Sequence, residues 1–143
     1  MFVGKHDRSL DDKGRLVLPS AFRHDVEEAG GGVLAPWDRS LALWTKPKFE
    51  DVMEQLIEKL RAGEADDDVA RLFQSDAVPV QLDGQGRFLV NEKLREHAGI
   101  GRDVSVVGQT NHIEIWDAGR FADVQATKSS AEVSTEIRRL RIF

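Results

Sequence analysis

The sequence contains no cysteine, so neither a disulfide framework nor a thiolate metal site can form. No apolar run approaches the roughly 20 residues that cross a bilayer, and the opening MFVGKHDRSLDDKGR lacks the apolar stretch of a secretory signal. With 41% hydrophobic and 31% charged residues, the 143-residue chain has the composition of a globular protein of one domain or two small ones. We therefore expect a cytoplasmic protein without a membrane segment.

The motifs of common enzyme classes are also missing. The four histidines lie far apart, with no HExxH pair, and the chain has no phosphate-binding GxxxxGK[ST] loop and no nucleophile elbow. The stretch GIGRDVSVVG lacks the final glycine of a dinucleotide-binding fingerprint. Asp11 and Asp12 are adjacent carboxylates, but they share a turn with Lys13 and Arg15 and suggest no cavity. We expect no catalysis, and no cofactor, metal or small-molecule substrate.

The net charge of −5 is concentrated in one segment. Residues 50–76 contain nine acidic and three basic residues, a balance of −6, so the rest of the chain carries +1. Residues 5–24 contain five basic residues against three aspartates. A basic surface for nucleic acid therefore remains open despite the acidic total.

The chain is an internal duplication. The stretch LDDKGRLVLP at residues 10–19 returns as LDGQGRFLVN at residues 82–91, an offset of 72. The same offset aligns Trp44 with Trp116 and Phe49 with Phe121, without insertion or deletion. Because an aligned tryptophan and phenylalanine so far downstream are not expected by chance, both halves should share one structure.

Each half is predicted to form a strand, the glycine turn, a second strand, a short helix and a hairpin. Ser20 and Asn91 are the predicted helix N-caps, and Gly30 and Gly99 the predicted stops. The other expected elements are strands near Lys5–Leu10, Leu16–Leu18, Val78–Leu82 and Phe88–Val90, and hairpin turns at Pro36–Ser40 and Gly108–Asn111.

Helices connect and follow the halves. Apolar residues from Phe49 to Leu60 recur at helical spacing beside an acidic face, which predicts an amphipathic helix packed on its own core. The same stripe is open to a second interpretation, contact with a neighbouring subunit. A short helix is expected at Val69–Phe73 and another after Asp117, with Asp117 as its N-cap. The tail from Lys128 is expected to be frayed or partly disordered.

The element common to both halves is Asp-x-x-Gly-Arg, which is Asp11, Gly14 and Arg15 in the first half. Glycine supplies the positive φ of a tight turn, and aspartate can accept backbone N–H bonds that close it. The planar fork of arginine matches guanine or phosphate. Two alternatives stay open: an ordinary hairpin without ligand, or an arginine that pairs with the aspartate of its own turn. Two equivalent turns favour a pseudo-twofold DNA reader.

Several segments together resemble the MraZ family of bacterial transcriptional regulators. They are MFVGK, both Asp-x-x-Gly-Arg turns, AFR, LREHAGI and, most distinctively, VGQTNHIEIWD. The resemblance covers residues 1–125. It implies a mainly β, α+β fold with short helices: a duplicated, swapped-hairpin β-barrel of the AbrB and MazE type with peripheral amphipathic helices. The implied partners are double-stranded DNA and further copies of the chain in a ring.

The resemblance also implies a function and its residues. MraZ-like proteins bind short G-rich direct repeats before their own division and cell-wall operon, usually as repressors, and associate with the nucleoid. The implied DNA-binding residues are Lys13, Gly14 and Arg15 in the first turn and Gly86 and Arg87 in the second. A separate role, shaping the two turns, falls on Asp11 and Asp83. As a hypothesis, Arg15 reads a base and Lys13 holds phosphate.

The second half departs from the first at Gln85, which replaces Lys13, and at Asn91, which replaces Pro19. The second turn should therefore bind DNA less strongly. The expected divisions are residues 1–49 and 77–125 for the two AbrB-like halves, 50–76 for an acidic helical linker and 126–143 for a flexible tail. The competing function is an assembly scaffold or MazE-like antitoxin in which DNA binding is secondary.

Overall fold

The computed structural model describes all 143 residues, which form eight strands and six helices. The mixed α+β class is therefore confirmed. None of the helices combines the length and the apolar character that crossing a bilayer requires. The elements of the first half and the linker are β1 Lys5–Ser9, β2 Arg15–Val17, α1 Ser20–Glu28, β3 Gly32–Trp37, β4 Ser40–Thr45, α2 Lys46–Arg61 and α3 Asp67–Ser75. Those of the second half and the tail are β5 Val78–Val80, β6 Arg87–Leu89, α4 Glu92–Ala98, β7 Asp103–Gly108, β8 Ile113–Asp117, α5 Ala118–Gln125 and α6 Ser130–Arg139.

The strands form two antiparallel sheets that interleave the halves. The larger sheet has the order β1-β7-β8-β4-β3-β5, and the smaller is a ribbon of β2 and β6. Apart from the hairpins β3–β4 and β7–β8, every pairing joins a strand of one half to a strand of the other. Exchanging each strand for its counterpart in the other half turns the order into its own reverse. The halves are thus related by a pseudo-twofold relation, and closure of the sheets into a barrel stays a prediction.

The side chains of β3 and β4 in the larger sheet alternate between two apolar clusters, as the pleat of a strand requires. In β4, Leu41 and Leu43 lie in a core of 19 buried residues drawn from both halves, which also contains Leu16 and Phe88 of the ribbon. Burying side chains of this size stabilises the fold by about 1.5–3 kcal/mol each. Trp44 belongs to the second cluster on the opposite face of the sheet, against residues of α2 and α3.

Helix α2 is an amphipathic helix on its own core, as predicted. Phe49 and Val52 pack against the second cluster, whereas Ile57 in the later turns is exposed. Asn91 and Asp117 cap α4 and α5 through side-chain oxygens that accept backbone N–H bonds, which confirms both predictions. Contact of the α2 stripe with another subunit stays a prediction.

Three expectations are wrong in detail. Ser20 is the first residue of α1 rather than its N-cap; Pro19 occupies that position and offers no side-chain acceptor. Pro36 was expected in the hairpin turn but lies within β3, opposite Leu41 of β4. The pairing of β3 with β5 ends before Pro36, so β3 has only one neighbouring strand at the position where the proline lacks an N–H to donate. The tail is not irregular, because Ser130–Arg139 form helix α6 with a capping box between Ser129 and Glu132.

Candidate nucleic-acid interface

The first glycine turn is closed by Asp11. Its Oδ1 accepts the backbone N–H bonds of Lys13 at 3.0 Å and Arg15 at 2.8 Å, and its Oδ2 accepts Arg15 Nε at 2.7 Å. The backbone adds Gly14 N to Asp11 O at 3.0 Å and Asp11 N to Arg15 O at 2.9 Å. Asp11 therefore fixes both the path of the turn and the direction of the Arg15 side chain.

The second turn repeats this arrangement. Asp83 Oδ1 accepts the N–H bonds of Gln85 and Arg87, both at 2.9 Å, and Oδ2 accepts Arg87 Nε at 2.8 Å. The pairing of each arginine with its own aspartate, left open by the sequence, is thus present in both turns. It occupies only Nε, and neither arginine uses its terminal nitrogens in a hydrogen bond within the chain, so both guanidinium ends can bind a ligand.

The electrostatics of the two aspartates follow from these bonds. The Arg15 backbone amide and then its guanidinium hold the pKa of Asp11 below the ordinary value of 3.8, against an opposing effect of desolvation. The Arg87 amide and guanidinium lower the pKa of Asp83 in the same way. Both carboxylates are therefore charged at neutral pH while they accept these bonds, and their turn-shaping role stays a prediction.

The ribbon displays both arginines on its outer face. Residues directly opposite in an antiparallel pair share a face, and Arg15 lies opposite Leu89 while Val17 lies opposite Arg87. These four side chains point outward, and Leu16 and Phe88 point into the core. The outer face thus presents two arginines on a diagonal, with exposed Val17 and Leu89 between them.

The two turns lie at opposite ends of this ribbon. Val90 N donates to Gly14 O and Leu18 N donates to Gly86 O, each at 2.9 Å. The two glycines are therefore offset by four residues, or about 13 Å along the strands. Lys13 is exposed and makes no ion pair or side-chain hydrogen bond, so its ammonium extends the basic surface at the first turn. Gln85 gives the second turn no such charge.

Two further arginines, Arg23 and Arg95, support the turns and were not predicted as site residues. The Arg95 guanidinium lies where a Cβ on Gly14 would stand, and Arg23 occupies the equivalent place beside Gly86. Their signal in the sequence was the duplication itself, since the 72-residue offset aligns these two arginines. Their contact with the opposite half could not be deduced from that offset.

The acidic segment lies away from this surface. Helices α2 and α3 pack on the Trp44 face of the larger sheet, and the ribbon packs on the Leu41 and Leu43 face. The sheet therefore separates the segment with a balance of −6 from the basic turns. A different charged group, His24, Asp25 and Glu28, is exposed on α1 with ligand atoms within 4.8 Å of one another, and is the one group of three or more side chains close enough to hold a metal ion.

Comparison of the sequence with known proteins finds the same division into two halves. A family model described as "MraZ protein, putative antitoxin-like" matches the chain twice, over residues 1–72 and 73–141. The chain belongs to the MraZ family. The two matches correspond to the two halves of the duplication, and the second extends the resemblance through the whole of α6.

Similar proteins of this family cover most of the chain. A protein of Frankia alni is 39% identical over 140 residues, 96% of each chain, and one of Clavibacter michiganensis is 36% identical over 136 residues, 94% of each. A protein of Methylococcus capsulatus is 38% identical over 120 residues, 82% of this chain and 79% of its own. All three carry the name transcriptional regulator MraZ.

Proposed function

We propose that the chain is a DNA-binding transcriptional regulator, as the names of its MraZ relatives indicate for those proteins. The observation that carries the proposal is the outer face of the ribbon, where two arginines with free guanidinium ends stand in equivalent, aspartate-braced turns. Membership of a family whose relatives are named transcriptional regulators supports the same conclusion.

The ribbon suits the major groove, whose width of about 12 Å admits a two-stranded β-ribbon. With Nε held by Asp11, the terminal nitrogens of Arg15 can donate together to O6 and N7 of one guanine. Arg87 offers the same contact at the other end of the ribbon. Lys13 supplies a flexible charge for phosphate, which adds affinity without reading sequence. Gly14 and Gly86 contribute indirectly, because they supply the positive φ that each turn requires.

The finer part of the proposal concerns the target. The chain binds short G-rich direct repeats before its own operon, the division and cell-wall cluster. Binding represses this operon. The protein acts in the cytoplasm, where it associates with the nucleoid. Guanine preference follows from two arginines as the reading groups. A reporter behind the upstream DNA tests the direction, since repression predicts higher expression when the chain is deleted, and activation predicts lower.

A ring of copies completes the proposal, because one ribbon contacts few bases and linked ribbons gain through effective concentration. The support is helix α6 with its C-cap Leu140, where exposed Val133, Ile137 and Leu140 recur at helical spacing along one face. Residues 128–143 carry four basic and two acidic side chains, which complements the −6 of residues 50–76 on another copy. Ile137→Asp should reduce the oligomer measured by light scattering, and Thr135→Asp, which adds the same charge elsewhere on α6, should leave it intact.

The function is tested by fluorescence anisotropy against the chain's own upstream DNA over a salt series, with a scrambled-repeat duplex beside it. We expect Arg15→Ala to weaken binding to the repeats by about tenfold or more, as loss of a bidentate guanine contact does. Arg71→Ala is the matched control, since it removes an arginine from α3 on the other side of the sheet. Equal binding of wild type to repeats and scrambled DNA would refute the proposal.

The second candidate is an assembly scaffold or an antitoxin of the MazE kind, favoured by the exposed apolar stripe of α6 and by the wording of the family description. If Ile137→Asp abolishes partner binding or assembly while single-repeat DNA binding persists, assembly is a separate function of α6. If the scrambled duplex competes as well as the repeats, this candidate replaces the first.

A further inference from the structure

Each glycine turn rests on an arginine from the opposite half of the chain. Arg95, in α4 of the second half, lies against Gly14 of the first turn, with its Cζ 3.1 Å from the position of a Cβ on that glycine. Arg23, in α1 of the first half, lies against Gly86, with its Cδ 2.9 Å from the equivalent position. The contacts cross between halves in both directions.

Hydrogen bonds extend each crossing contact into the ribbon. Arg95 Nη1 donates to the carbonyl of Val90, and the amide of Val90 donates to Gly14 O at 2.9 Å. Arg23 Nη2 donates to Leu18 O at 3.0 Å, and Leu18 N donates to Gly86 O at 2.9 Å. Each guanidinium thus donates to the carbonyl of the strand residue that pairs with a glycine, and it also packs against that glycine.

Arginine is suited to both tasks. Its planar guanidinium fits into the space beside a glycine that has no Cβ, while a terminal nitrogen still reaches a carbonyl. A lysine ammonium is a compact charge without such a plane. Both arginines are half-buried, and Nε of Arg23 is buried without a hydrogen-bond partner. Neither therefore projects from the surface as Lys13 does.

We infer that Arg23 and Arg95 are positioning residues, each of which holds the glycine turn of the other half in the shape that reads DNA. The structural part of this inference stands on the contacts alone, and its consequence for DNA rests on the proposed function. Because Lys13 lies in the turn that Arg95 supports, loss of Arg95 should weaken DNA binding more than loss of Arg23.

The structural part is tested by hydrogen exchange and mass spectrometry on the full-length protein without DNA. Arg95→Ala should speed exchange of the amides at residues 13–15 by about tenfold or more and leave residues 85–87 near wild type, and Arg23→Ala should do the reverse. Arg102→Ala is the matched control, because Arg102 lies beside the first turn, bonded to Asp12, and Arg95 rather than Arg102 supplies the side-chain atoms nearest the Cβ position of Gly14. Faster exchange in a variant's own half, or equally in both turns, would overturn the inference.

Conservative variants separate charge from shape. Arg95→Lys keeps the charge but loses the plane, so exchange at the first turn should stay faster than in wild type, although thermal melting shows a folded protein. If Arg95→Lys restores wild-type exchange, the guanidinium is not a brace and the inference fails. This variant also covers the outcome in which Arg95→Ala does not fold.

The DNA arm uses the anisotropy assay described above. Arg95→Ala should weaken binding by about tenfold, Arg23→Ala by less, and Arg102→Ala by about threefold at most, as expected for one long-range charge. If wild type shows no preference for its repeats, the proposed function fails, whereas the exchange data still decide the crossed contacts. If Arg23→Ala weakens binding more than Arg95→Ala, the assigned consequence for DNA is wrong.

Discussion

The first and second glycine turns have the same internal geometry in different surroundings. Asp11 and Asp83 accept the same three hydrogen bonds, with distances that agree within 0.1 Å in every pair. Around them, the first turn carries Lys13 and an ion pair between Asp12 and Arg102, and the second carries neither. The two turns thus share one backbone conformation and differ in the charged side chains around it.

The helices after the turns differ in the same manner. Asn91 Oδ1 accepts the N–H bond of Leu94 at 2.9 Å at the start of α4, whereas Pro19 leaves the start of α1 without a side-chain acceptor. Nevertheless Arg23 and Arg95, one turn into each helix, reach equivalent places under the opposite glycines. The contacts of Arg23 with Gly86 and of Arg95 with Gly14 therefore form after either kind of helix start. The pairing of β2 with β6, and not the helix cap, places each arginine beside the opposite glycine.

The largest effect should come from substituting the turn glycines, which tests whether the two backbones are equivalent. Gly14→Ala and Gly86→Ala place a Cβ at φ +78 and +77 and against a guanidinium. We expect each to lower the free energy of unfolding by about 1–3 kcal/mol. Gly86→Ala should cost more, because it meets the inner Cδ of Arg23 as well as the flexible end.

Two other glycines serve as controls in urea unfolding of these variants. Gly30 has φ +78 with open space around it, so Gly30→Ala isolates the conformational cost. Gly84, in the second turn itself, has neither a positive φ nor a neighbour within 4 Å, so Gly84→Ala should be nearly neutral. Losses for Gly14→Ala and Gly86→Ala no greater than for Gly30→Ala would show that the arginines simply move aside.

Local chemistry made the turns predictable from sequence, and the duplication made the symmetry predictable. Aspartate three residues before glycine is enough to indicate an Asx-closed turn, and the offset of 72 anticipates the matched strands. Helix α6 also had signals in the sequence, namely the Ser129 and Glu132 capping box and the spacing of Val133 and Ile137. The polar composition of the tail concealed them.

Contacts between the halves could not be read in advance. The contact between Arg95 and Gly14 spans 81 positions of the chain and depends on β2 pairing with β6. A repeat shows that two segments are alike, but not whether each pairs with itself or with the other. The same limit hid the place of Pro36, which is acceptable in β3 only because β5 ends before it.

A smaller effect should come from the aspartates, which tests whether they are equivalent. Since hydrogen bonds lower the pKa of Asp11 and Asp83 below 3.8 in the folded state, each contributes stability above the unfolded pKa that is lost as pH falls through the folded pKa. Asp11→Asn and Asp83→Asn should therefore flatten the fall in stability between about pH 5 and pH 3. Urea unfolding at several pH values measures this, and unequal flattening would break the equivalence.

Exchanging charge between the turns should sharpen the contrast between them. Lys13→Gln removes a phosphate contact, so the slope of log affinity against log salt should become shallower by about 0.9, or about threefold in affinity between 50 and 200 mM salt. Gln85→Lys should steepen it by a similar amount, and the double exchange should restore the wild-type slope. If Gln85→Lys leaves the slope unchanged, only the first turn contacts phosphate.

The smallest effect should come from the ion pair found only at the first turn. Arg102 Nη1 and Asp12 Oδ1 are 3.2 Å apart and both side chains are largely exposed, so solvent screens their attraction. Asp12→Asn should change the free energy of unfolding by no more than about 0.5 kcal/mol, with hydrogen exchange at residues 13–15 unaltered. Faster exchange there would mean that the ion pair shapes the first turn, and that the two turns differ in rigidity as well as in charge.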